Sequence, residues 1–363
     1  MTRHIFWQAL LAILGIVLVF IILFQLVSTA PPPPEEVVQV PVAGGTYIEG
    51  VLGYSEVLNP ILAPSMVPAN PVDQELSALL FDGLTTLDVT GRISPSLALA
   101  WEVSEDGSIY DFTLRRDVTW HDGAPFTAAD VAFTVQALQD PSYQGDPNLA
   151  DLWRNVRVEQ IDDYMVRFSL AEPFPSFLYY TTIGLLPAHL LGSVPAAELA
   201  DNQFSTQEPV GTGMFRVERV TPDRIVLAAN DEYWGPKPYL DYLEFWFYAD
   251  WDGLMADYEQ AEIHGFHPPS IRYLPNLIGT DDLQLYSAQT AGYGLVFLNL
   301  QRESVDFFQT VELRQALLYA LDRQALVDDI LSGQALVADS PIASISWAYD
   351  PSVRQYGYDP ERA

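Results

Sequence analysis

The chain of 363 residues carries 48 acidic and 17 basic side chains, a formal net charge of −31, and no cysteine. Such a field repels phosphate backbones and argues against a nucleic-acid partner. The absence of thiols excludes disulfides, thiolate nucleophiles and cysteine-ligated metals. With 49% hydrophobic and 12% aromatic residues the chain can bury a sizeable core, and its length accommodates two or more domains. The acidity reads first as a solvated surface, second as a preference for cationic ligands.

Residues 1–4 precede an apolar run, Ile5 to Val27, interrupted only by Gln8 and Gln25. At about 1.5 Å per residue a helix over this run spans the roughly 30 Å hydrocarbon core of a bilayer. Arg3 and the amino terminus lie before it and the acidic bulk after it. The positive-inside rule therefore puts residues 1–4 in the cytoplasm and the rest outside, at the cell surface or in the periplasm. A cleaved signal peptide ending at Ser28, Thr29 and Ala30 is the competing reading. The length of the run, and Pro31 directly after, favour an uncleaved signal-anchor. Residues 28–43, with Pro31 to Pro34, Glu35, Glu36 and Pro41, read as an extended stalk, because proline fixes φ and lacks an N–H donor.

From Gly44 onward helix and strand signals mix without repeats. Asn70 caps a helix with Pro71 in its first position, Leu76, Leu79 and Leu80 on its apolar face, and Gly83 as the residue closing it. A hairpin follows, Leu84 to Leu87 and Arg92 to Ile93, turned by Asp88 to Gly91. Tyr110, Phe112 and Leu114 alternate as a half-buried strand, and Val166, Phe168 and Leu170 as another. Between them His121-Asp122-Gly123 makes a turn. Thr127 and Asp130 form a capping box, Phe126 and Val131 a hydrophobic staple, and Val135 and Leu138 continue the buried stripe. Ile225 and Leu227, then Leu243, Phe245 and Phe247, mark two further strands. The run from Gly292 to Leu300 reads as a fully buried strand. Two helices finish the chain: one with Leu313, Ala316, Leu317 and Ala320 on a single face, the other capped by Asp322 and running through Leu326, Val327 and Ile330 to Gly333. The elements are mixed α and β, without the strict alternation of a doubly wound parallel sheet.

Particular stretches carry a more specific signal. SEVLNP at Ser55 to Pro60, the block from Leu79 to Thr134, PVGTGMFRV at Pro209 to Val217, the block from Asn230 to Phe245, and the block from Val311 to Ala335 stand together in order. In these the chain resembles the family 5 extracellular solute-binding proteins of ABC transporters, the group that includes oligopeptide- and dipeptide-binding proteins. The resemblance implies an α/β, two-lobed clamp like a periplasmic binding protein of type II, cluster C. Its first lobe would comprise residues 44–87 and 201–250, with a subdomain of residues 88–200 inserted. Its second lobe, residues 251–363, would be incomplete, since family members run longer and the chain stops where a further helix normally follows.

Function by resemblance is capture of a peptide between the closing lobes and delivery to the transmembrane subunits of an ABC importer, as a monomer and without a cofactor. Residues carried over by motif as ligand-binding are Glu56 and Val57 in SEVLNP, with Tyr54 beside them, and Tyr293; Trp153 is a weaker candidate. For each aromatic, ordinary core packing is the alternative. An extended peptide can pair main chain to main chain, so affinity need not depend on its side chains. Gly211 and Gly213 read as structural. Other ligands of the same fold, an oligosaccharide or a nickel or haem-type ligand, form the second reading, and a membrane-anchored sensory ectodomain or enzyme the third.

Catalytic motifs are lacking: there is no GxSxG elbow, phosphate loop or HExxH helix. His264 and His267, with Glu262 nearby, have a spacing that would suit a metal on a helix. Gly265, Pro268 and Pro269 argue against that helix, so structural or surface roles are expected for them.

Overall fold

The computed structural model describes residues 42–64, 70–88, 90–267, 271–278, 283–288, 292–344, 346 and 348–363. The signal-anchor expected at 5–27, and the stalk apart from its last two residues, lie outside the described residues. Among those described, no helix is long and apolar enough to cross a membrane.

The first strand, β1 (Thr46–Leu52), is followed by α1 (Pro71–Leu80). The α1 helix starts as its sequence dictates: the Asn70 side chain accepts from the Val72 N–H, and Pro71 occupies the first turn, where a missing donor costs nothing. Its inner face buries Val72, Leu76 and Leu80. Full burial of each Leu contributes about 1.5–3 kcal/mol. The helix ends at Leu80 with Phe81 extended, and Gly83 does not close it. Gly83 lies instead against the Thr182 backbone, where a Cβ would come within 2.6 Å of the carbonyl. It is there for close approach, not for a left-handed turn.

A two-stranded hairpin pairs β2 (Thr85–Leu87) with β3 (Ile93–Pro95). Next come β4 (Ala98–Val103), β5 (Ile109–Leu114), α2 (Ala128–Gln139), α3 (Pro147–Arg154), β6 (Val156–Asp162) and β7 (Met165–Leu170). These four strands form one antiparallel sheet in the order β4-β5-β7-β6. The alternation in β5 buries Tyr110, Phe112 and Leu114, with Tyr110 against the Phe177 ring and Phe112 edge-on to Phe168. At the start of α2 the Asp130 carboxylate accepts from the Thr127 N–H at 2.9 Å, which closes the capping box, while Phe126, Val131, Val135 and Leu138 are all buried. Across the sheet Arg167 makes a two-pronged pair with Asp111 at 2.6 and 2.7 Å, holding that carboxyl below its ordinary range. Both groups are partly exposed, so solvent screening leaves the pair a minor contributor to stability.

The other main sheet assembles strands far apart in the chain. Strands β8 (Phe215–Thr221), β9 (Arg224–Ala229) and β10 (Tyr242–Tyr248) form an antiparallel meander. β1 adds to β10 in parallel, and β11 (Gly265–His267), after α4 (Trp251–Glu259), adds in parallel on the other side of β1. The order is therefore β11-β1-β10-β9-β8. This sheet continues past the boundary expected at residue 251, because His267 stands in register with Val51 of the first strand.

Two further expectations are corrected. The stretch from Gly292 to Leu300 is not a buried strand: among the described residues it has no strand partner, and Val296 and Phe297 are 85% and 88% exposed. Apolar composition suggests burial, but a strand needs a neighbour to bond with. In α5 (Val311–Ala320) the buried residue is Tyr319, while Leu317 and Ala320 face outward. Tyr319 packs its ring against Tyr356, with centroids 5.4 Å apart, so an aromatic contact from downstream chooses the face. Asp322 does cap the next turn, accepting from the Ala325 N–H at 2.9 Å.

Candidate functional site

The loop leaving β1 is exposed at its tip and fixed at both ends. At its start Gly53, with φ of +112°, donates its N–H to the Tyr248 carbonyl at 3.0 Å. At its far end the Leu58 N–H donates to the Ser205 carbonyl at 2.7 Å, and the buried Asn59 side chain donates to Ser205 Oγ at 2.9 Å. Between these anchors Tyr54 is 62% exposed, Glu56 is exposed, and Ser55 and Val57 are half-buried.

The middle of the loop is held from below by the first turn of α1. The Asp73 carboxylate accepts from Ser55 Oγ at 2.7 Å, the Glu56 N–H at 2.9 Å and the Val57 N–H at 3.2 Å. Asn70 Nδ2 adds a bond to the Tyr54 carbonyl at 2.7 Å. Asp73 is 1% exposed, and burial raises its pKa against the pull of its three donors. Sequence reasoning missed this residue. The available signal was an acid three positions after the Asn70 cap, a place that usually serves the helix's own start; here the carboxylate turns to the neighbouring loop.

Thus Tyr54, Glu56 and Val57 are brought together on one loop. Tyr293 is half exposed in a different part of the chain, the segment from Gly292 to Leu300. Trp153 belongs to neither place. It is 1% exposed, edge-on to Phe177 at 5.6 Å and to Phe168 at 6.0 Å, in the core behind the four-stranded sheet. Core packing claims this side chain, and a ligand would reach it only by unpacking that cluster.

His264 and His267 are bonded within the fold. His264 extends the sheet: its Nδ1 accepts from the Ile48 N–H at 3.0 Å, and its own N–H donates to the Ile48 carbonyl at 2.9 Å. His267 lies in strand β11, not on a helix, 3.4 Å from Glu75, which raises the imidazole pKa. No group of three or more metal-ligating side chains occurs among the described residues.

A buried polar hub joins the two main sheets around Gly211-Thr212-Gly213. The backbone N–H of His121 donates to the Gly211 carbonyl at 2.9 Å, and its Nδ1 accepts from the Gly211 N–H at 3.0 Å. That leaves Nε2 as the donor to the Gly213 carbonyl at 3.1 Å, which defines a neutral tautomer. Burial pushes this histidine down to about 4. Beside it Asp82 accepts from Thr212 Oγ1 at 3.0 Å and Trp234 Nε1 at 2.9 Å, and desolvation pushes its carboxyl up to about 6. Arg115 lies over the Trp234 ring, 4.5 Å from its centroid.

These features describe an α/β protein with an exposed loop seated by hydrogen bonds on the first turn of α1. The profile of the bacterial extracellular solute-binding proteins, family 5, matches residues 92–363, and the chain belongs to that family. The family is one of solute-binding proteins, not of enzymes. The chain is similar to the oligopeptide-binding protein AppA of Bacillus subtilis (strain 168), with 29% identity over 329 residues, 89% of this chain and 59% of that protein. It is 28% identical over 325 residues to the dipeptide-binding protein of Escherichia coli (strain K12), covering 83% of this chain and 59% of that one. Among solved structures, AppA in complex with a nonapeptide superposes with a TM-score of 0.68 at 26% identity, over 89% of this chain and 63% of its own. NikZ from Campylobacter jejuni in complex with Ni(L-His) gives 0.69 at 28% identity, over 87% and 61% of the two chains. The chain thus has the α/β fold of the solute-binding proteins, and spans about three fifths of the length of the curated relatives it matches.

Proposed function

We propose that this protein binds peptides outside the cytoplasm and hands them to the membrane subunits of an ABC importer, without catalysing a reaction. The observation that carries this reading is the match along 89% of the chain, in sequence and in backbone, to an oligopeptide-binding protein solved with a nonapeptide. In this reading the loop of Tyr54, Glu56 and Val57 is one wall of the ligand site. Tyr293 contributes to the opposing wall, in a second lobe that starts beyond β11. The four-stranded sheet and its helices form a subdomain inserted into the first lobe, and ligand stabilises the closed clamp because only that state touches it from both sides. The apolar run at 5–27 is a membrane anchor, and the protein works as a monomer.

A second reading, a metal complex as ligand, is favoured by the similarity to NikZ. Mass spectrometry and metal analysis of whatever co-purifies with the complete protein, released by denaturation, separate the two. Released peptides are the expected result. A nickel complex or a sugar without peptides would refute the peptide reading and leave a solute-binding protein of another specificity.

A further inference from the structure

The seat beneath the loop of Tyr54, Glu56 and Val57 decides more than the loop's position. A loop backbone ordinarily offers a ligand both donors and acceptors. Here the two N–H groups of Glu56 and Val57 point down and are consumed by the Asp73 carboxylate. The Ser55 hydroxyl, a third donor, is turned to the same carboxylate. On the other side of the account, no donor among the described residues reaches the carbonyl oxygens of Ser55, Glu56 or Val57. Tyr54 is the exception: its carbonyl is occupied by Asn70. The loop therefore keeps three backbone acceptor oxygens without a protein donor among the described residues, on half-buried Ser55 and Val57 and exposed Glu56, beside the Glu56 carboxylate and in a chain whose net charge is −31.

We infer that Asp73 is a positioning and specificity-determining residue: by consuming the donors of the loop it leaves a surface of acceptors, which selects ligand groups that donate, amide N–H and ammonium, over carboxylate and other anions. This rests on the reading of the loop as a ligand wall. Buried and fully bonded before any ligand arrives, Asp73 fixes the loop in advance, so ordering it on binding costs little. It touches no ligand itself and acts through the backbone above it.

Two measurements test this on the complete protein. In Asp73→Asn the side chain keeps its size, but one acceptor oxygen becomes an NH2 donor, so either the Val57 or the Glu56 N–H loses its acceptor. Hydrogen exchange at whichever of the Glu56 and Val57 amides faces that NH2 group is expected to speed up by about tenfold or more, the loss of a hydrogen bond to a charged group, while amides of β5 and β7 stay protected. Unchanged exchange at those two positions overturns the inference. The second measurement uses matched synthetic nonapeptides that differ only in carrying Lys or Glu. The native protein is expected to favour the Lys series, and Asp73→Asn to reduce the Lys-to-Glu affinity ratio by about three- to tenfold, since freed N–H groups now accommodate anions. A merely structural role would weaken both series equally, and that result overturns the specificity claim. Should Asp73→Asn fail to fold, Ser55→Ala releases one of the three donors from the same carboxylate and is read by the same exchange and ratio. If the native protein binds neither series, the peptide reading falls and the ligand half of the inference with it, while exchange still decides whether Asp73 holds the loop.

Discussion

Replacing Gly211 by Ala is expected to destabilise the protein by about 3 kcal/mol or more, in the range of severe overpacking. A Cβ at this position would stand 1.8 Å from the Leu80 carbonyl oxygen and 3.1 Å from the Phe81 ring. The obstacle is backbone at the end of α1, which cannot rotate away as a side chain would. That carbonyl also accepts the Gly213 N–H at 2.9 Å, so displacing it breaks the bond that ties α1 to the hub. Gly123→Ala provides the contrast. Gly123 has a φ of +87° and open space around its Cβ position, so only backbone strain of about 1 kcal/mol is expected. Urea unfolding of both variants decides the matter. Equal losses would mean that the contact of α1 with Gly211 is slack.

The largest pH effects should come from His121 and Asp82, and they oppose each other. His121 titrates at about 4 in the folded protein against an ordinary 6.5. Its contribution is complete above pH 6.5 and declines as pH falls towards 4, because the unfolded chain takes up a proton that the native state refuses. Asp82 behaves in the reverse sense, with a folded value of about 6 against an ordinary 3.8. Its contribution is complete below pH 3.8 and is lost as pH rises through 6. Each amounts to an order of about 3 kcal/mol. In the native protein the two largely cancel between pH 4 and 6. Asp82→Asn should therefore show a steep loss of stability below pH 6.5 relative to the native chain. His121→Gln, which can still accept from Gly211 and donate to Gly213, should show a relative gain over the same range. Unfolding free energies at pH 7, 6, 5 and 4.5 compare the slopes, and the other titrating groups drop out of the difference. Slopes parallel to that of the native protein in both variants would refute the assignment.

What could be read from the sequence was what neighbours in the chain decide. Asn70 with Pro71, and Thr127 with Asp130, start helices where expected, because a cap is a bond between residues two or three apart. The alternation of Tyr110, Phe112 and Leu114 holds for the same reason. The misses are long-range. No local pattern tells that β1 lies in parallel between β10 and β11, or that Gly83 faces Thr182. Gly292 to Leu300 has the composition of an inner strand, but composition does not supply a pairing edge. Motif resemblance pointed to the loop of Tyr54, Glu56 and Val57 but not to Asp73, since the side chain that seats the loop belongs to the next helix. For Trp153 the sequence left core packing and ligand contact both open, because a large aromatic looks the same in sequence whether it fills a core or faces a ligand.

The placing of β1 dictates an order of assembly during synthesis. The Gly45 N–H bonds to the Asp241 carboxylate 196 positions away, and Thr46 stands opposite Tyr242. Strands β4 to β7, by contrast, all lie between residues 98 and 170. Contacts close in sequence form sooner, because less chain must be gathered to make them. The four-stranded sheet should therefore be complete while β1 still waits for its partner. At about 5–20 residues per second the ribosome needs roughly 10–40 s to make the intervening chain. Throughout that delay the first strand is an unpaired edge that any holding chaperone or neighbouring nascent chain can occupy. Pulsed hydrogen exchange during refolding should reveal the same sequence, with amides of β5 and β7 protected before those of β1 and β10. Protection of β1 first would mean that the long-range closure leads.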